Sequence, residues 1–278
     1  MSVLGCCLTV SALAQVQIIT KKEKISDFPQ NILKVILPGN PLDAAAFEQE
    51  ITSGWRLSPY EFCSYKDFEN YKSSPDFYFL SLVNMRFPNE NTVGTEFITI
   101  VKGGEGADGG LGSMLEVCAF PFRSAKGSEG REYEYLPAMM DIIQDYIEDS
   151  MGNDVDAYAG FVKYAGKLSR IRGMRVLVAE SDLSKAVDAK LRAKAEAVGI
   201  EFVSEDDASD AMESRLENTL VSYTVHPVDA GKGSYCFKML FGADDHRLYY
   251  FRKQRVSSPG DCGFTPLEIK KMVSILKK

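Results

Sequence analysis

The strongest constraint on this chain is that it repeats itself. The stretch KVILPGNPLDAAAFEQEITSGW, beginning at Lys34, reads as strand, turn and helix. Val35, Ile36 and Leu37 form a short apolar run of the kind found in strands covered on both faces. Asn40 suits an N-cap, Pro41 suits the first helical position, and Phe47, Ile51 and Trp55 recur every four residues on one face. A second strand ending at Cys63 leads into Ser64-x-x-Asp67, a capping signature. DFYFLSLV then supplies a third, strongly apolar strand. From Met174 the order returns: MRVLVAESDLSKAVDAKLRAKAEAVG is strand then helix, IEFV leads into Ser204-x-x-Asp207, and TLVSYTV is the next strand. Val35 to Ser64 spans 29 residues and Val176 to Ser204 spans 28.

The agreement runs on. TEFITIV and SMLEVCAFPF follow in the first half, joined by a glycine-rich loop; SYCFKMLF and RLYYFRKQRV follow in the second, joined by GADDH. Each set closes in a helix that proline opens, at Pro137 and at Pro266 inside the capping box Thr265-Pro266-Leu267-Glu268. For the second half's first helix, Ser181 or Asp182 is the expected cap and Leu183, Val187, Leu191 and Val198 the apolar face. The expectation is an α/β fold: a tandem duplication of a β-α-β-α-β-β-β-α unit with mixed sheets and helices packed on them. Residues 15–150 and 174–278 form the repeats, and residues 151–173 a helical linker. The same strand order in both halves is the test.

Each repeat supplies its own opening strand, which leaves the start of the chain to be explained. Residues 3–14 are 12 uncharged residues ending in Ala12-Leu13-Ala14, the small-x-small pattern of a signal-peptidase site. Only Met1 and Ser2 precede the run, so the basic region of an ordinary signal is lacking. The expectation is a signal peptide over residues 1–14, cleaved near Ala14, and a periplasmic or secreted mature protein. Cys6 and Cys7 leave with it. Cys63, Cys118, Cys236 and Cys262 remain, with three possible pairings that sequence leaves open. Cys118 and Cys236 fall in apolar strands, where buried free thiols are common.

Composition narrows the partners. Of 278 residues, 45% are hydrophobic and 26% charged, a globular balance, and the net charge of −7 gives no basic field for nucleic acid or an anionic membrane. Past residue 14 no run is long and apolar enough to span a bilayer. A formal G-x-G-x-x-G at Gly104, Gly106 and Gly109 is followed by a strand and flanked by Glu105 and Asp108, which reads as a mobile hairpin loop and not as a dinucleotide site. Asp244, Asp245 and His246 are adjacent and cannot easily converge on one ion, so neither metal nor cofactor is expected. FRKQRV reads as an edge strand protected by charge. No motif names a catalytic residue. A thiol nucleophile at Cys236 or Cys262 would need a histidine brought to it by the fold.

The stretches WRLSPYEFC (residues 55–63), GREYEYLPAMMDIIQ (130–144) and CFKMLFGADDHRLYYFRK (236–253) resemble a family of exported, uncharacterised α/β proteins of Bacteroidetes. The resemblance implies export and a shared fold over most of the mature chain. The family carries no established activity, so it implies no catalytic residues. The leading expectation is a non-enzymatic module that binds an unknown protein or small molecule in the groove between the repeats. Arg131 and Glu132, just before a helix, and the two histidines, His226 and His246, are its candidate ligand contacts. The alternative is an exported hydrolase with a Cys/His or carboxylate site assembled only by the fold. A cavity holding a cysteine or carboxylate of shifted pKa beside either histidine would favour the enzyme.

Overall fold

A computed structural model describes residues 20–87, 90, 94–126, 130–257 and 261–277. The signal segment expected over residues 1–14 lies outside them. The first half comprises α1 (Lys21–Ile25), β1 (Ile32–Ile36), α2 (Pro41–Gly54), β2 (Tyr60–Cys63), α3 (Tyr65–Tyr71), β3 (Phe77–Met85), β4 (Thr95–Lys102), β5 (Leu115–Ser124) and α4 (Arg131–Gly152). The link is α5 (Asp154–Ala159) and a 3-10 segment, Gly160–Ile171. The second half comprises β6 (Arg175–Ala179), α6 (Ala189–Glu196), β7 (Ile200–Val203), α7 (Glu205–Glu213), β8 (Thr219–Val225), β9 (Tyr235–Gly242), β10 (Leu248–Arg255) and α8 (Pro266–Leu276).

The two sheets have one topology. The first is ordered β2-β1-β3-β4-β5 and the second β7-β6-β8-β9-β10. In each, the first three strands run parallel and the last two antiparallel. Ser64 with Asp67 and Ser204 with Asp207 form full capping boxes at equivalent helices, each cap worth about 0.5–2 kcal/mol. The strand registers refine the match. Ile36 pairs with Cys63 and Ala179 with Val203, each just before its capping serine, so Val35 corresponds to Val178 and not to Val176.

The halves are stacked head to tail. Leu33 and Val35 of β1 join a core with α2 and α4, while their counterparts Val176 and Val178 join one with α6 and α8. The other face of β6, with Leu177, Ala179 and α7, packs into the same core as α2 and α4. So the α2/α4 face of one sheet meets the α7 face of the other, a heterologous contact of unlike surfaces. Central α4 is buried on several sides, from Tyr135 through Ile147. Tyr135 lies against Tyr223 and Phe241, and Phe120 against Phe241, so both halves share one aromatic-rich core. The counterpart of Leu177 on the first half's outer face is Lys34, which lies over Tyr71 and Phe77 and pairs with Glu61. Where Leu177 packs into the shared core, Lys34 keeps a charged end and lays its stem on aromatic rings.

Four local expectations change. The glycine-rich loop folds into two 3-10 turns that bury Ala107 and Met114 beside Phe68 of α3, so it caps a small core. α4 begins at Arg131, six residues before Pro137, so Arg131 and Glu132 are its first residues and do not precede it. The bond lost at Pro137 is tolerated because tertiary packing holds α4 on several sides. α6 begins only at Ala189, capped by Asp188 and not by Ser181 or Asp182. Asp182 is drawn elsewhere, and Leu183 bridges to Phe264. Lastly, α1 with its Thr20–Glu23 capping box precedes β1 and has no counterpart among the described residues of the second half. β10 is an edge strand carrying Arg252, Lys253 and Arg255, as the charge pattern suggests.

Candidate functional site

The doubly wound front of each repeat dictates where a crevice opens. The chain leaves β6 through α6 on one face, reaches β7, then crosses by α7 on the other face to β8 on the far side of β6. At such a switch point the carboxyl ends of the two parallel strands diverge, and ligands favour the gap. Here the gap is bounded by Ser181, Asp182 and Leu183 after β6 and by Thr224, Val225 and His226 at the end of β8.

Asp182 forms its floor. It is almost fully buried and accepts from Arg131 Nη1 and Nη2 (3.0 and 2.6 Å), Ser222 Oγ (2.5 Å), Thr224 N (3.1 Å) and Thr224 Oγ1 (2.8 Å). Arg131 comes from the other half. Its Nη2 also donates to the Ser222 carbonyl at 2.7 Å, and its guanidinium lies over the rings of Tyr223 and Tyr135. Burial opposes its charge, but the Asp182 carboxylate and the bonds to it prevail and raise its pKa.

Glu132, the next residue of α4, turns to the first half. It accepts from Arg123 Nη1 at 3.0 Å. Arg123 also grips Asp43 in bidentate fashion (2.7 and 2.8 Å) and donates from Nε to Glu96 (2.7 Å). Tyr133 adds a bond to Asp43 at 2.8 Å. Burial pushes the Glu96 carboxyl up; Arg123 opposes this, while Asp43 and Glu132 add to it. Consecutive residues at one helix start thus tie both halves together.

Two cavities meet over this network. One, of about 220 Å³, is lined by Arg123, Arg131, Glu132, Thr224, His226 and Val228. The other, of about 510 Å³, is lined by Ser181, Lys185, His226, Val228, Asp229 and Cys262. His226 and Val228 belong to both. His226 Nδ1 lies 2.9 Å from the Pro227 carbonyl. A carbonyl only accepts, so Nδ1 is the donor in this contact.

Of the four candidate contacts, Arg131, Glu132 and His226 converge on this crevice. His246 does not. It sits in the β9–β10 turn, at the opposite end of β8, in a left-handed conformation with φ 53°. Its Nδ1 meets Asp141 of α4 at 2.8 Å, and that bond leads the effects that lower the Asp141 pKa. It ties a hairpin to the central helix.

Sequence reasoning missed Asp182, Asp43 and Arg123, and it left the cysteines unpaired. The signal for Asp182 was present: a polar Ser-Asp directly after an apolar parallel strand is where a switch-point residue falls, as well as where a cap falls. Cys262 is at the larger cavity, and the next residue, Gly263, donates its N–H at 3.4 Å to the sulfur of Cys236, which is fully buried on β9. The neighbouring Cys236 thiol leads the effects that lower the Cys262 pKa to about 7; burial opposes it and His226 assists. Among the described residues no cluster of three or more His, Cys, Asp or Glu could hold a metal ion, and no helix is long and apolar enough to cross a membrane. A further groove of about 460 Å³, beside Asp145, Asp149 and Tyr249, lies away from the carboxyl ends of β6 and β8.

Compared with known protein families, curated proteins and solved structures, the chain matches none.

Proposed function

We propose that the chain is an exported binding protein that takes a small polar molecule in the crevice beyond β6 and β8. The observation that carries this reading is the convergence of Arg131, Glu132 and His226 on one cavity at the second repeat's switch point. Arg131 and Glu132 are already committed to carboxylate and guanidinium partners, so they build a rigid polar floor. His226 and the backbone of residues 228–231 remain at the opening to contact a ligand. The combined space suits a metabolite-sized molecule. Export rests on the apolar run and Ala12-Leu13-Ala14, and Gln15 as the mature N-terminus in protein isolated from whole cells is its test.

The binding test fills the crevice. Val228 lines both cavities and is exposed, so Val228→Trp removes the space without disturbing the core. In a thermal-shift screen of small polar metabolites, a ligand should raise the melting temperature of the wild type and leave Val228→Trp unchanged. Equal stabilisation of both would place binding elsewhere.

A second reading has its own observation: a cysteine of lowered pKa stands beside His226 at a cavity, the arrangement expected of a thiol hydrolase. Hydrolysis of small esters, lost in Cys262→Ala, would favour it. The neighbouring Cys236 thiol argues for a different chemistry.

A further inference from the structure

We propose that Cys262 and Cys236 form a redox-active dithiol that takes low-molecular-weight disulfides as its substrate class, with Cys262 the attacking thiol and Cys236 the resolving one. The assignment stands on placement and is independent of whether the crevice binds a metabolite. Cys262 lines the cavity of about 510 Å³ and is partly exposed; Cys236 is fully buried, and its sulfur takes a hydrogen bond at 3.4 Å from the backbone N–H of Gly263, the residue next to Cys262. One thiol meets solvent and the other is shut away from it, the division of labour that an attacking and a resolving cysteine require.

The segment carrying Cys262 is fixed. Gly263 N donates to Cys236 Sγ at 3.4 Å, Phe264 N donates to the Asp182 carbonyl at 2.7 Å, and Ser184 N donates to the Phe264 carbonyl at 3.1 Å. Gly263 has φ 94°, and a Cβ there would lie 2.5 Å from the Asp182 carbonyl oxygen. Only glycine permits this approach, and the approach is what seats Cys262 beside Cys236. The charged surroundings are mixed: His226 and Lys238 favour the Cys262 thiolate and Asp261 opposes it. Cys63 and Cys118 lie in other cores and are no part of the pair.

The chemistry balances. The Cys262 thiolate attacks one sulfur of R–S–S–R, forms Cys262–S–S–R and releases R–S⁻. Cys236 gives up its proton and attacks the Cys262 sulfur, which displaces the second R–S⁻. The protein loses two electrons and two protons, and the small disulfide becomes two thiols. The new bond would clamp residues 262–264, and with them the Asp182 loop that floors the crevice, onto β9.

The test uses the full-length reduced protein and oxidised glutathione at pH 7, with peptide mass mapping over time. A Cys236–Cys262 disulfide should form, at least about tenfold faster than glutathione adds to Cys63, whose thiol burial pushes up to about 11. Cys236→Ala should accumulate the Cys262–glutathione mixed disulfide, which the wild type passes through without accumulating. Cys63 is an internal reference in the wild type, so the rate comparison holds even where a variant folds poorly. Failure of the 236–262 bond to form, or modification of Cys262 no faster than Cys63, would overturn the proposal.

Discussion

Arg131 of the first repeat closes a bidentate ion pair on Asp182 of the second, at 3.0 and 2.6 Å, with both side chains more than nine-tenths buried. The pair is the polar hinge-pin of an otherwise aromatic junction. Removing one partner strands the other charge out of water. Arg131→Ala or Asp182→Asn should therefore cost about 3–5 kcal/mol in urea unfolding. Arg131→Met combined with Asp182→Leu should cost less than the sum, because the double variant strands no charge. Additive losses would mean the two residues act separately.

The thiol of Cys262 should titrate near neutrality. Its pKa is about 7, set first by the neighbouring Cys236 thiol. Alkylation by iodoacetamide should reach half its maximal rate near pH 7, then level off, while Cys63 continues to accelerate into the alkaline range. Cys236→Ala removes that thiol, so the Cys262 midpoint should move upward towards an ordinary thiol. An unchanged midpoint would show that Cys236 does not set it.

Glu268 gives the acid side of the stability curve. It caps α8 through Thr265 and receives Lys238 Nζ at 2.5 Å and Tyr250 Oη at 2.6 Å. Burial alone would raise its pKa, but Lys238, Tyr250 and the cap lower it on balance. A carboxylate depressed in the folded state contributes stability that is present above its unfolded pKa of about 4.3. That contribution is lost as pH falls through the folded value. Glu268→Gln should therefore destabilise strongly at pH 7, and the gap to wild type should narrow steadily below about pH 4 in pH-dependent unfolding. A gap independent of pH would mean the ionised form of Glu268 is not what matters.

Much of the fold was legible because repeats and caps are local. Ser64-x-x-Asp67 and Ser204-x-x-Asp207 cap helices through their own side chains, and the apolar runs at Val35 and Val176 mark parallel strands. That the two halves share one strand order was expected from the matching sequence of elements; the order itself, β2-β1-β3-β4-β5, came only with the structure. The stacking of the halves did not follow, because it depends on which face each sheet presents to the other. Only Lys34 against Leu177 hints at that, and the hint needs the strand register to be read. The site was half legible. Arg131 and Glu132 stood out as paired ions, but Asp182 looked like a cap because the same side chain that caps a helix can floor a crevice. Cys236 and Cys262 lie on segments brought together only by β9 and the turn before α8, so no spacing could join them.

Amide chemical-shift mapping gives the sharpest test of whether the crevice beyond β6 and β8 binds a ligand. The isotopically labelled protein is titrated with each compound that stabilises it. Shift changes should cluster at Ser181, Leu183, Thr224, Val225, His226 and Val228, and they should vanish in Val228→Trp. Changes confined to the groove at Asp145, Asp149 and Tyr249, or none at the strand ends with any stabilising compound, would contradict binding in the crevice.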